Sequence, residues 1–218
     1  MTRVEDVVTV RGERELFDRT AHLFGSATDI ACAANTLYTW VASRPGTGVP
    51  AVPSVPDLQG RRARKIYLPS VLLDGASVEH LRLLRELGAQ IRISEREINE
   101  TIILDGRLAI LAAEVTPDGR SYTVLSRPDL VNGISSLFEA AWRSSTDLAA
   151  FETRFAELRQ NTPRLLDLLL SGCTDETAAR TMGVGLRTYR RYVAELMAAL
   201  GATSRFQAGA RAKEAGLL

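Results

Sequence analysis

Apolar and polar positions follow two different periods along this chain, and the switches between them mark its parts. Residues 13–24 place Leu16, Phe17, Leu23 and Phe24 at helical spacing, which predicts an amphipathic helix broken by Gly25 and Ser26. "TDIACAAN" then reads as a short buried strand, and "TLYTWVAS", residues 36–43, as a short helix. Residues 44–60, "RPGTGVPAVPSVPDLQG", predict an irregular surface loop, because proline at that density denies both helix and central strand. "RARKIYL" restarts a strand. "SVEHLRLLRELG" is a helix with Ser77 as its cap and Gly88 as its stop, and "AQIRIS" is the next strand. In "INETIILDGRLAILAAE", Asp105-Gly106 between two apolar runs predicts a hairpin, and "SYTVLS" adds a strand. Pro128 opens a helix through Ile134, Leu137, Phe138 and Trp142, interrupted at Ser144-Ser145-Thr146. A further helix carries Leu148, Phe151, Phe155 and Leu158 at heptad-like spacing, too short for a coiled coil and read as a connecting helix docked on its own domain.

Beyond that point every predicted element is helical. Thr162-Pro163 starts "PRLLDLLLSG", with Gly172 as its stop. Thr174 caps "DETAARTM", where Asp175 and Glu176 suit the positive end of the helix. Ala178 and Ala179 allow another helix to approach closely, and Gly183-Val184-Gly185 makes a tight turn. The next helix, "LRTYRRYVAELMAAL", has two faces. Leu186, Tyr189, Val193, Leu196, Met197 and Leu200 form an apolar stripe, while Arg187, Arg191, Ala194 and Ala198 lie opposite, with Arg190 at the edge. Ser204 and Gln207 form a capping box for a last helix. Strands interleaved with helices, then helices alone, predict an α/β domain followed by an all-α one.

Charge sharpens the division. The net charge of the 218 residues is only +1. Residues 1–150 hold 17 Arg/Lys and 19 Asp/Glu, a net of −2, and residues 151–218 hold 10 and 7, a net of +3. A basic C-terminal end fits a polyanion partner. Cys32 and Cys173 lie far apart without metal-ligand spacing and read as reduced thiols, and the sequence suggests neither a metal nor a cofactor. With no membrane-spanning apolar run and no signal-peptide character, the expected location is the cytoplasm, associated with the nucleoid, with no membrane partner.

Two helices joined by a short glycine turn, the second one basic at its start, form an arrangement that enters the DNA major groove. In detail, "SGCTDETAARTMGV", "RTYRRYV" and "LGATSRFQA" resemble the LuxR/GerE-type four-helix DNA-binding domain, over residues 163–218. The resemblance implies double-stranded DNA as partner. It puts Arg190 and Arg191 at base-reading positions, and Arg187, Thr188, Tyr192, Ser204 and Arg205 at phosphate-touching ones. Thr174 and Ala194 complete the candidate DNA-facing set. Arginine can chelate guanine O6 and N7, whereas Ala194 offers only a methyl to thymine. Gly185 departs from the family's preferred Ser or Thr cap, Ala194 departs from its usual polar reader, and the first helix is shorter than usual.

Residues from about 10 to 145 resemble a second family. Around "INETIILDGRLAILAA" the order of elements is similar to the phospholipase D-like fold, as found in the effector domain of TrmB-type regulators. That family's motif, His-x-Lys, four residues, then Asp, falls on Ile98, Glu100 and Asp105. Isoleucine supplies no nucleophile and glutamate repels phosphate, so the resemblance implies a fold without its catalysis and no catalytic residues. The same three positions mark a candidate effector cleft, with a small-molecule effector as a further candidate partner.

The combined expectation is a non-enzymatic, sequence-specific transcription regulator. It consists of a mixed-sheet sensing or dimerisation domain at 1–145, a linker helix at 146–161 and a helix-turn-helix domain at 162–218. A homodimer is expected, held permanently by the N-terminal body, while Ala208, Gly209, Ala212 and Ala215 of the last helix pair on DNA. The alternative is a two-component response regulator with an atypical receiver domain. A receiver needs an acidic pair at its first strand and a late lysine. Here Asp29 stands alone, and no lysine lies between Lys65 and Lys213.

Overall fold

A computed structural model describes residues 6–37, 58, 60–116 and 119–218. Among these residues one mixed sheet has strands in the order β1-β7-β6-β5-β2-β3-β4-β8. They are β1 (Val7–Arg11), β2 (Asp29–Ala34), β3 (Arg62–Tyr67), β4 (Gln90–Ile93), β5 (Thr101–Leu104), β6 (Leu108–Thr116), β7 (Gly119–Leu125) and β8 (Thr146–Asp147). Only β2, β3 and β4 run parallel to their neighbours in that group, and the other pairings are antiparallel. The helices are α1 (Gly12–Ser26), α2 (Gly75–Glu86), α3 (Pro128–Ser144), α4 (Leu148–Leu170), α5 (Asp175–Met182), α6 (Leu186–Ala199) and α7 (Arg205–Glu214). None is long and apolar enough to cross a membrane.

The two faces of the sheet are covered unequally. On one face α1, α2 and α4 build the larger core, around residues such as Val10, Leu81, Ile91 and Leu148. This apolar cluster continues without a gap into α6 and α7, through Leu165, Tyr189, Leu196 and Ala212. On the other face α3 packs on Ala31, Ala33, Ile66, Ile103 and Ala109. The small residues of "DIACAA" suit a strand buried on both sides. Charge lies under α3 as well. Arg64, buried in β3, pairs with Glu139 of α3 at 2.5 Å and lies over the rings of Phe138 and Trp142 at 5.4 and 5.7 Å.

Several expected boundaries move. The helix expected to start at Pro163 is absent, and α4 runs unbroken through that proline to Leu170. Proline removes one intrahelical bond. Here Asn161 Nδ2 and Thr162 Oγ1 donate to the carbonyls of Glu157 and Leu158, both at 2.9 Å, in the turn before it. Buried Leu158, Leu165 and Leu166 hold the helix on either side. The cap of α2 is Asp74, whose carboxylate accepts from the Ser77 N–H at 2.7 Å, so Ser77 lies inside the helix. Strand β1 lies ahead of the first expected element, and α1 extends through Gly25 to Ser26. The Asp105-Gly106 hairpin joins β5 to β6 as expected. The helix read at 36–43 and the proline loop at 44–60 fall almost entirely outside the described residues. Ala208 and Ala212, expected to meet a second copy, are buried against this chain's own α4 and α6.

Candidate nucleic-acid interface

Helix α5, a three-residue turn and α6 form one compact unit. Thr174 accepts from the Thr177 N–H at 3.3 Å to cap α5, and Gly183 ends it in the left-handed conformation at φ 70°. The N–H groups of Gly183 and Val184 return to the carbonyls of Arg180 and Ala179 at 3.1 and 3.0 Å. They satisfy carbonyls that the helix end leaves open, and a residue with a Cβ would be strained at that φ. Buried Ala178 and Ala179 let α6 approach. Helix α6 then presents Tyr189, Val193, Leu196 and Leu200 inward and leaves Arg187, Arg190, Arg191 and Ala194 exposed. Its 14 residues span about 21 Å, a rod that fits a major groove about 12 Å wide.

Seven of the nine candidate DNA-facing residues fall into two groups. Arg187, Arg191 and Ala194 follow the outer ridge of α6. Thr174, Arg190, Ser204 and Arg205 gather where the starts of α5 and α7 meet α6, because Asp175 pairs with both Arg190 at 3.0 Å and Arg205 at 2.7 Å. Thr188 is half-buried. Ser204 caps α7 by accepting from the Gln207 N–H at 3.1 Å. Tyr192 departs from expectation. Its ring is buried, and its hydroxyl donates to Glu157 of α4 rather than standing outward for phosphate.

Glu157 and Asp175 are the site residues that sequence reasoning missed. Glu157 holds Arg191 at 3.3 Å as well as Tyr192, and Glu195 takes the other side of Arg191 at 3.0 Å. The hydrogen bonds from Tyr192 and Arg191 keep Glu157 below the usual carboxylate range. Burial opposes the charge of Asp175, but Arg205 and Arg190 outweigh it and lower that pKa as well. Carboxylates thus hold Arg190, Arg191 and Arg205 in place on this surface.

The degenerate motif does not form one cleft. Ile98 packs into the apolar cluster under α3. Glu100 is buried, paired with Arg120, and accepts from the Asn35 N–H at 2.9 Å. Asp105 lies past the other end of β5, roughly 17 Å along the strand. It occupies the left-handed region at φ 50° and accepts from Thr28 N at 2.9 Å, Thr28 Oγ1 at 3.0 Å and Asp29 N at 2.8 Å. The backbone N–H groups of Asp29 and Thr28 hold its carboxyl below the ordinary value. Its role here is to clamp the start of β2 to the hairpin. Asp105→Ala is expected to cost about 1–2 kcal/mol and Asp105→Asn distinctly less, because asparagine keeps an acceptor and tolerates that φ. Urea midpoints test this, and equal midpoints for wild type and Asp105→Ala would remove the clamp.

No family model matches the chain. Among solved structures, it resembles the archaeal chromatin protein TrmBL2, at 14% identity and TM-score 0.49, covering 68% of this chain and 56% of that one. Nuc of Salmonella typhimurium, a phospholipase D family member, matches at 13% and 0.47, covering 65% of this chain and 97% of that one. NucT of Helicobacter pylori matches at 10% and 0.48, covering 65% and 98%. In sequence, the chain is 31% identical over 163 residues to the bialaphos biosynthetic pathway regulatory protein of Streptomyces hygroscopicus. That match covers 74% of this chain and 63% of the regulator, so the chain spans less than two thirds of its relative's length.

Proposed function

We propose that the chain is a sequence-specific DNA-binding transcription regulator. Helices α5 and α6 act as a LuxR/GerE-type helix-turn-helix, with the remainder of 162–218 as its support. The observation that carries this reading is α6 itself, which buries Tyr189, Val193 and Leu196 on one face and exposes Arg187, Arg190 and Arg191 on the other after a tight glycine turn. In this reading α6 enters the major groove. Arg190 and Arg191 exchange their carboxylate partners for base edges, while Arg187 and Arg205 meet phosphates. The name of the Streptomyces relative, a pathway regulatory protein, agrees with a regulatory role.

The sheet domain, residues 1–145, is a degenerate phospholipase D-like sensing or dimerisation domain, and the first part of α4 connects it to the DNA reader. Two copies bind two half-sites, since one module of this size reads few base pairs. The expected test is binding of the full chain to labelled duplexes across salt concentrations. Affinity falls steeply from 50 to 200 mM salt, roughly a hundredfold or more, as phosphate contacts release counterions. Salt-independent binding, or none, rejects the reading.

The sheet domain performs no phosphodiester hydrolysis in this account, because Ile98 and Glu100 occupy the nucleophile and phosphate-binding positions. Incubation with bis(p-nitrophenyl) phosphate is expected to release no nitrophenol above a heat-treated control. Turnover abolished by Asp105→Asn would overturn this.

A further inference from the structure

A cleft of about 290 Å³ opens between α3 and strands β2, β3 and β5, at the end of the sheet where Asp105 clamps β2. Its polar walls are Asp29, Arg62, Arg64, Ser135 and Glu139, and Phe138 supplies apolar surface. Three of these lining residues carry a buried polar atom without a hydrogen-bond partner, covered in this conformation: Asp29 Oδ1, Arg64 Nε and Ser135 Oγ. Such atoms are rare in folded proteins, because leaving one unsatisfied is costly. Arg64 is 8% exposed and already engages Glu139 through another nitrogen, so its Nε–H is a separate, unengaged donor. Asp29 reaches Arg62 at 3.5 Å through Oδ2, which leaves Oδ1 as an acceptor. The charges of the lining cancel, two carboxylates against two guanidinium groups.

The geometry points to a binding site for a small zwitterion of the amino-acid class. Its ammonium meets Asp29, and its carboxylate meets Arg64 and Ser135. A donor-only or acceptor-only ligand would leave one wall unsatisfied, and a ligand with net charge would unbalance a neutral lining. Asp29 stands opposite Arg62 in the parallel pair, and Arg64 is two residues farther along its strand, so all three side chains rise from the same face of the sheet toward α3. The volume sits at the lower limit for ligand pockets, which favours a single small metabolite. Side-chain rotations of the kind common on binding turn Asp29 and Ser135 inward. This site lies apart from α6, so its occupancy can be measured without DNA.

The experiment is a thermal-shift titration of the full chain with each of the common free amino acids as probe. At least one is expected to raise the midpoint by about 5–10 °C at a hundredfold excess over its Kd. The corresponding amine without the carboxylate, and the acid without the ammonium, are expected to shift it little. Asp29→Asn and Ser135→Ala each weaken the best probe about tenfold, with ligand-free midpoints close to wild type. A panel without any shift overturns the proposal. So does a shift unchanged in both variants, which would place the ligand elsewhere. A one-ended analogue that matches the amino acid overturns the zwitterion assignment. Should either variant fold poorly, Asp29→Glu supplies the second reading, because it keeps the charge while displacing it and is likewise expected to weaken binding.

Discussion

Arg191→Ala lowers affinity for the chain's cognate duplex roughly ten- to a hundredfold and relaxes preference at one base pair of each half-site. The expectation follows from position and chemistry together. Arg191 stands on the outer ridge of α6, its guanidinium lies over the Tyr192 ring at 4.7 Å, and Glu157 and Glu195 fix its direction. Once released from these carboxylates, the planar fork offers two parallel donors, the pattern that reads guanine. Lysine cannot reproduce it, so Arg191→Lys is expected to keep the salt dependence and lose the base preference. Arg205→Ala is expected to behave differently, weakening all duplexes alike, because its place at the start of α7 suits a phosphate. Anisotropy titrations against the cognate duplex and single-base variants separate the two patterns. An Arg191→Ala protein with unchanged affinity and unchanged base preference would remove α6 from the recognition role.

Leu196→Ala is expected to destabilise the chain by about 2–5 kcal/mol and lower its thermal midpoint by roughly 5–20 °C. Leu196 is 0% exposed, at the centre of the stripe through which α6 meets the rest of the core. Deleting three buried carbons removes their transfer free energy and leaves a cavity that rigid helices close only in part. Because the apolar cluster runs from the sheet into α6 and α7 without interruption, the loss is expected in one cooperative transition. Leu196→Met, nearly conserving volume, is expected to cost under about 1.5 kcal/mol. Calorimetry on both variants checks this. A small, separate low-temperature transition in Leu196→Ala, with the main one unmoved, would mean that the C-terminal helices fold independently of the sheet.

Much of the candidate interface was legible in the sequence because it rests on local rules. The α6 stripe is a 3.6-residue pattern, Gly183 ends α5 where only glycine sits comfortably, and Asp105-Gly106 makes the hairpin. The missed features depend on distant partners. Glu157 reaches Arg191 across 34 positions and Asp175 reaches Arg190 across 15, separations without any periodicity. Pro163 carries a strong local stop signal, yet packing on both sides of it prevails. Strand β1 passes directly into α1 at Gly12, with no turn cluster to announce either. The degenerate motif was readable as residues, but its ends lie beyond opposite ends of one strand. The cleft with unsatisfied polar groups is instead assembled from Asp29, Arg64 and Ser135, which the chain brings together from three separate elements.

Whether α6 reads DNA sequence is decided by selecting bound duplexes from a random pool with the full chain at about 100 mM salt. The expected result is enrichment of a short motif as two inverted half-sites, about 10 base pairs apart from centre to centre. The same selection with Arg191→Ala is predicted to lose one specified position in each half. A recovered pool as random as the input, from protein shown to be folded, would contradict it.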